Sequence, residues 1–402
     1  MEAPTLHGLD PKALGAQLQD ARRACDLTQQ QVANKLGIAR TTIVALEKGE
    51  RRLSPADLVA LCRLYGRSIS DFVRPQKTSE DFLPQFRTVR GLQQSSAVYQ
   101  AAIDLERMAK NYVDLERATG QSLIQRYPAV VALDQISVPL EQAAEDLAIQ
   151  ERNRLGMGDG PIPDLRTRLE SDVGLRIFCF PMESKIAGLF GYTEPLGGCI
   201  GVNSRHPLER RRWSLAHEYG HFLSTRFRAD YDILSRSGGR SAAEKFVDHF
   251  ARHFLMPSSG LNRHTSQLHG TKSGLTLADV CTLADLFKVS VQALTLRLEE
   301  LGRIKAGTWE HLCERGFKAR AAKEYLGLNV QDDIEGRYSA RYLGLAALAH
   351  QKGFLTEGEL TERLGKDRVS TRKFLQDYWQ RLVTETEQGF GRFDASLDYV
   401  VS

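Results

Sequence analysis

The sequence predicts a mainly α-helical, multidomain chain: a helical bundle at the N-terminus, a mixed α+β centre with a small twisted sheet, and a helical C-terminal region. Three observations lead there. At 402 residues the chain exceeds what one ordinary hydrophobic core encloses. Apolar residues recur at helical spacing through residues 14–64 and again beyond residue 271. Strand-like runs are confined to LRIFCF, KIAGLFGY and GGCIGVN, between residues 175 and 203.

Composition narrows the class further. With 42% hydrophobic and 26% charged residues, the chain has apolar material for several cores and a well-solvated surface. No apolar run reaches the roughly 18–20 residues of a spanning helix, so no membrane partner is expected. The opening MEAPTLHGLDPKALG has neither the basic nor the apolar region of a secretory signal. Cys25, Cys62, Cys179, Cys199, Cys281 and Cys313 form no CxxC pair, so neither a zinc ribbon nor a dithiol redox motif is suggested. Reduced thiols in a cytoplasmic protein are the expectation. The net charge of +4 is unevenly spread: residues 12–74 hold eleven Lys/Arg against six Asp/Glu. A basic module on a nearly neutral body points to nucleic acid contacted at one end.

That module, residues 1–76, reads as a five-helix bundle. Leu14, Leu18 and Ala21, then Val32 and Leu36, Ile43 and Leu46, and Leu58, Leu61 and Leu64 mark successive helices. Thr28-Gln-Gln-Gln31 has the form of a capping box opening the helix QQQVANKL, and Gly37 supplies the turn. Ala39 to Glu47 follows as a second short helix, then KGERRLSP. Over residues 12–75 this resembles the XRE (lambda-repressor-like) helix-turn-helix family. The resemblance implies double-stranded DNA as partner, with Arg40, Thr41 and Thr42 meeting base edges in the major groove. Gln29, Lys48, Arg51 and Arg52 would then lie against phosphates. Such modules usually read paired half-sites, so a homodimer is expected. Ala39 stands where relatives often carry a Ser or Thr cap, a loss of about 1 kcal/mol of helix stability.

Residues 77–139 read as a helical linker after a polar hinge, QKTSED. Val98, Ala101, Leu105, Met108, Tyr112 and Leu115 alternate three and four apart in a helix over 95–118. That spacing suits a coiled-coil seam between two copies, or equally an amphipathic helix lying on the next domain.

Residues 140–305 carry the chemistry. Arg212-Trp-Ser-Leu-Ala-His217-Glu218-Tyr-Gly-His221 contains HExxH. Positions i and i+4 of a helix lie one above the other, so His217 and His221 can turn two imidazoles onto one zinc ion. Zinc draws the pKa of a coordinated water towards neutrality, and Glu218, one residue round, can accept its proton. A third protein ligand is needed, and the helix starting at Ser241 offers Glu244. Ser241 and Glu244 look like a capping box, and Pro257 ends the helix. At 100° per residue, Glu244, Asp248, Ala251 and Leu255 share a face, while His249 and His253 lie roughly 140–180° away. Those histidines therefore cannot readily join Glu244 on one ion. Asp248 is expected behind an imidazole, steadying it.

HEYGHF followed by E-x3-D-x-F-A-x3-LMP resembles the ImmA/IrrE family of metallopeptidases, over roughly residues 140–300. The resemblance implies zinc on His217, His221 and Glu244, with Glu218 as general base. It implies a zincin-like α+β fold, in which substrate lies along a sheet edge. The Gly-rich run Gly197–Asn203 is the candidate edge, with a turn into a buried strand as the alternative. Tyr192, Tyr231 and Arg211 are candidates for stabilising the oxyanion. Val247, His253 and Phe254 depart from the usual pattern without touching the ligand set. Residues 306–402, and the two further helix-turn-helix-like stretches at 275–302 and 354–378, read as helical packing or protein-contact elements.

The architecture implies a zinc metalloendopeptidase that cuts a specific protein, such as a helix-turn-helix repressor. The resemblance ties such cleavage to stress, DNA-damage or anti-phage responses, with single-stranded DNA as a possible trigger. The competing expectation is an XRE-family regulator whose zincin-like domain is a sensor with little proteolysis.

Overall fold

The structure, a computed structural model, describes residues 11–25, 27–51, 53–65, 96–227, 230–233, 241–269, 274–328 and 336–387. It comprises two units. The first is Met1–Glu106 with Thr193–Pro195 and Phe227–Asp230; the second is Arg107–Tyr192, Leu196–Arg226 and Tyr231–Ser402. No described helix is long and apolar enough to cross a membrane. None of the six cysteines is in a disulfide.

In the first unit, α1 (Pro11–Ala24), α2 (Gln29–Leu36), α3 (Arg40–Glu47) and α4 (Pro55–Tyr65) surround Leu14, Leu18, Ala21, Val32, Ile43, Leu58 and Leu61. The expected fifth helix and the hinge fall on residues 66–95, outside the described residues. Thr28 forms the reciprocal capping box with Gln31. Gly37 closes α2 at φ 67°, a left-handed conformation that costs a residue without Cβ little. Ala39 caps α3 with no side-chain bond, as its chemistry dictates. A Cβ on Gly15 would stand 2.5 Å from the Glu47 carbonyl, so α1 crosses the end of α3 at backbone range.

The helix α5 (Ser96–Thr119) buries every residue of its expected seam: Val98, Ala101, Leu105, Met108, Tyr112 and Leu115. Its C-terminal half, with Met108, Tyr112 and Leu115, belongs to the second unit. In the second unit Tyr112 donates to Glu170 Oε1 at 2.7 Å, and Glu116 pairs with Arg176 at 2.6 Å.

The centre follows as α6 (Leu140–Arg154), a short helical turn over 165–173, then β1 (Arg176–Phe180), β2 (Ile186–Thr193) and β3 (Gly197–Asn203). Next come α7 (Leu208–Ser224), β4 (Asp230–Ile233), α8 (Ala242–Leu255) and α9 (Ser258–His269). Strand order is β1-β3-β2-β4, with β1 parallel to β3 in the register Ile177↔Ile200. The three-residue turn between β2 and β3 makes that pair antiparallel, so the sheet is mixed.

This order corrects one expectation. The glycine-rich β3 is interior, flanked by β1 and β2, and cannot be the edge a peptide adds to. Its glycines serve packing instead: a Cβ on Gly198 would meet Leu175 at 2.5 Å and Phe222 of α7 at 3.0 Å. The outer side of β1 is engaged too, since Cys179 N donates to Arg337 O at 3.1 Å.

Beyond the sheet lie α10 (Leu277–Phe287), α11 (Val291–Glu300), α12 (Thr308–Glu314) and α13 (Ala319–Tyr325). The last described helices are α14 (Ala340–Gln351), α15 (Glu357–Leu364) and α16 (Arg368–Glu387). Both helix-turn-helix-like stretches open with a capping box, Thr276–Asp279 and Thr356–Glu359. The first contributes Val280, Leu283, Phe287, Leu294 and Leu298 to the same core as Ile177, Phe222 and Phe250. Residues after 305 do not stand apart from the centre: Lys323 pairs with Glu209 at 2.7 Å and Ser339 donates to Glu170 at 2.8 Å.

Candidate functional site

Helices α7 and α8 run antiparallel, because His217 meets Asp248 while His221, one turn later, meets Glu244, one turn earlier. Their close approach depends on Gly220, inside HEYGH. A Cβ there would lie 3.0 Å from Val247 Cβ and 3.1 Å from Phe250 Cδ1. The departure at Val247 is therefore accommodated by the glycine opposite it. On the sheet side α7 is held by Phe222, buried and edge-on to Phe190 at 6.0 Å.

These contacts bring His217, His221 and Glu244 together as a group able to hold a metal ion, all three buried. The two imidazole Nε2 atoms are 3.3 Å apart. Glu244 places Oε1 at 3.6 Å from His221 Nε2 and Oε2 at 3.8 Å from His217 Nε2. A tetrahedral zinc with bonds near 2.0–2.1 Å sets neighbouring ligands about 3.3–3.4 Å apart. The donor set and its spacing thus fit zinc with only a small contraction.

Each ring is fixed from behind. His217 Nδ1 is 3.1 Å from Asp248 Oδ1, the place expected for that carboxylate. His221 Nδ1 is 3.1 Å from Thr225 Oγ1, a partner sequence reasoning missed. A proton on Nδ1 leaves Nε2 free to ligate, which is how metal-bound histidines are generally oriented. Thr225 lies one turn beyond His221 on the same face, and that i+4 spacing was the available signal.

Glu244 also explains why the expected capping box is only half formed. Ser241 accepts from Glu244 N at 3.2 Å, but the Glu244 carboxylate turns to the imidazoles instead of back to the cap. Glu218 is fully buried on α7. A Cβ on Gly188 of β2 would stand 2.6 Å from its Oε1 and 3.2 Å from its Cδ. Gly188 therefore makes the room that this carboxylate occupies, a second feature that the sequence reading missed. Of the oxyanion candidates, Tyr192 packs edge-on to Tyr127 at 6.3 Å and Arg211 is buried two turns before Glu218. The Tyr231 side chain lies outside the described residues.

A cavity of about 720 Å³ runs along the same helices, lined by Trp213, Arg252, Met256, Val289, Ala293 and Leu296 among others. Glu141 and Glu300 line it as well, whereas His217, Glu218, His221 and Glu244 are not among its lining residues.

In the N-terminal unit Arg40, Thr41, Lys48 and Arg51 are exposed and Thr42 is half-buried, with Arg51 Nη1 3.5 Å from Thr42 Oγ1. Arg52 lies outside the described residues. Gln29 is used internally: its amide donates to Glu47 Oε2 at 2.9 Å. Glu47 is buried and also bound by Arg22 through Nε at 2.5 Å and Nη2 at 3.0 Å. Burial alone would raise its carboxyl, but the hydrogen bonds from Arg22 and Gln29 outweigh that and hold it below the usual range.

Residues 170–299 match the model of the IrrE N-terminal-like domain, peptidase family M78, and residues 13–72 match a helix-turn-helix domain. The cryptic phage CTXphi transcriptional repressor RstR of Vibrio cholerae is 32% identical over 66 residues, 16% of this chain and 60% of the repressor. A solved structure of Bacillus thuringiensis PlcR in complex with the peptide PapR7 and DNA aligns over 94% of this chain and 98% of that one. At 10% identity and a TM-score of 0.18, that alignment carries no argument about the fold. The chain thus joins a helix-turn-helix domain at residues 13–72 to an IrrE N-terminal-like domain of the M78 peptidases at residues 170–299.

Proposed function

We propose that the chain is a zinc metalloendopeptidase that cleaves a specific partner protein, a helix-turn-helix repressor, and that its own helix-turn-helix domain binds double-stranded DNA. The observation that carries this reading is the convergence of two imidazoles and a carboxylate at 3.3, 3.6 and 3.8 Å, with a buried acid on the same helix turn.

His217, His221 and Glu244 are the zinc ligands in this reading. Zinc, when bound, supplies a Lewis acid for the peptide carbonyl and renders water acidic near neutral pH. Glu218 takes the proton from the attacking water and returns it to the leaving amine. Asp248 and Thr225 hold the two rings in the tautomer and orientation that ligation requires.

Arg40, Thr41 and Thr42 read bases, while Lys48, Arg51 and Arg52 position the backbone; Gln29, engaged by Glu47, is not assigned a phosphate. The resemblance to a phage repressor supports this part. Cleavage of a repressor would switch on the genes it silences, in a stress, DNA-damage or anti-phage response, with single-stranded DNA as the activating signal.

The test is incubation of zinc-loaded full chain with the repressor encoded beside its gene, with and without single-stranded DNA. Wild type should cleave it, and Glu218→Gln should be slower by about 10²–10⁴-fold while keeping its zinc. Equal cleavage by both, or none by either under any trigger, removes the peptidase and leaves a zinc-dependent regulator.

A further inference from the structure

Helix α8 carries a second pair of histidines one turn apart, His249 and His253, on the side away from Glu244. Opposite them stands Glu141 at the start of α6. His249 Nδ1 is 3.6 Å, and His253 Nε2 3.9 Å, from the same oxygen, Glu141 Oε1. Both distances are too long for a hydrogen bond. Both ring nitrogens are shielded from solvent and have no hydrogen-bond partner, and His253 as a residue is only 3% exposed. Buried polar atoms are rarely left in this state, and two such atoms facing one carboxylate oxygen mark a gap between donors. One ligand atom from each of the three residues lies within 4.8 Å of the others.

We propose that Glu141, His249 and His253 form a second site for a divalent ion of the zinc class, bridging α6 to the far side of α8. Two imidazoles and a carboxylate suit zinc, nickel or cobalt over calcium or magnesium. The group behind His253 is also in place: Glu145 Oε1 lies 3.2 Å from its Nδ1. Arg297 Nη2 now donates to that Nδ1 at 2.9 Å. Ligation moves the ring proton from Nε2 to Nδ1, where Glu145 accepts it, and Arg297 keeps Ser258 at 2.7 Å and Glu300 at 2.9 Å. The result repeats the carboxylate-histidine-metal order of Asp248 and His217.

The charges around the site are mixed: Glu145 stands 3.2 Å from His253 Nδ1, while Arg252 Nη1 lies 3.8 Å from Glu141 Oε1. An ion here would pin the helix that carries Glu244 and Asp248, and so would steady the first site from behind.

The test is equilibrium dialysis of the reduced full chain against buffered Zn²⁺, with circular dichroism confirming the fold of each variant. Wild type should hold two equivalents. His249→Gln with Glu141→Gln, both at partly exposed positions, should hold one; His217→Gln with His221→Gln should also hold one; all four together should hold none. Survival of one equivalent in the His217/His221 pair establishes the second site even if the first reading fails. The proposal is overturned if wild type binds one equivalent that the His217/His221 pair abolishes, or if the Glu141/His249 pair still binds two.

Discussion

Two buried carboxylates, one in each unit, have opposite surroundings. Glu47 in the helix-turn-helix domain is gripped by the Arg22 guanidinium and the Gln29 amide. Glu244 in the IrrE-like domain faces two imidazoles at 3.6 and 3.8 Å. Burying a charge is costly unless it is paired. Glu47 is paired by a cation supplied by the chain itself, so it closes a fold. Glu244 stands against two imidazoles at spacings that an added cation would complete, the arrangement on which the proposed zinc site rests. The difference between a structural and a functional buried acid lies in what stands opposite it.

That contrast can be broken by removing each partner in turn. Arg22→Ala strands a buried carboxylate and should cost the N-terminal domain about 3–5 kcal/mol, read by urea unfolding. Glu244→Gln should leave the unfolding midpoint of the zinc-free chain nearly unchanged yet weaken zinc binding more than about 100-fold, measured by competition with a chelating dye. If Glu244→Gln instead destabilises the zinc-free chain as much as Arg22→Ala does its domain, the two acids play the same role and the contrast is lost. The groups behind the imidazoles should matter less. Asp248→Asn should weaken zinc by about 10–100-fold, and Thr225→Val by less, since a neutral hydroxyl orients a ring more weakly than a carboxylate.

The smallest effect concerns the approach of the two helices. Gly220→Ala should destabilise the IrrE-like domain by about 1–3 kcal/mol through overpacking against Val247. Adding Val247→Ala should restore much of the loss, a coupling visible in a double-mutant cycle. Additive effects would show that Gly220 does not set the helix spacing.

What could be read from the sequence was what a helix makes local. The i, i+4 rule joined His217 to His221, and the angle count on α8 separated Glu244 and Asp248 from His249 and His253. Thr28 and Gln31 announced their cap in the same way. What could not be read depends on distant chain segments. The interior place of β3 follows from the parallel crossover from β1, which the glycines themselves do not reveal. Gly188 matters because β2 crosses Glu218, thirty residues away in sequence. The seam of α5 has a spacing equally suited to two helices or one core, and spacing alone does not say which. The capping box of Ser241 and Glu244 is only half formed because the Glu244 carboxylate faces the imidazoles and not the cap.

The central claim is that His217, His221 and Glu244 share one zinc ion. Crystals of the zinc-loaded full chain, measured on both sides of the zinc absorption edge, test it directly. The account predicts an anomalous peak about 2.0–2.2 Å from both Nε2 atoms and a Glu244 oxygen. Density showing the three side chains turned apart, with no peak among them, would contradict it.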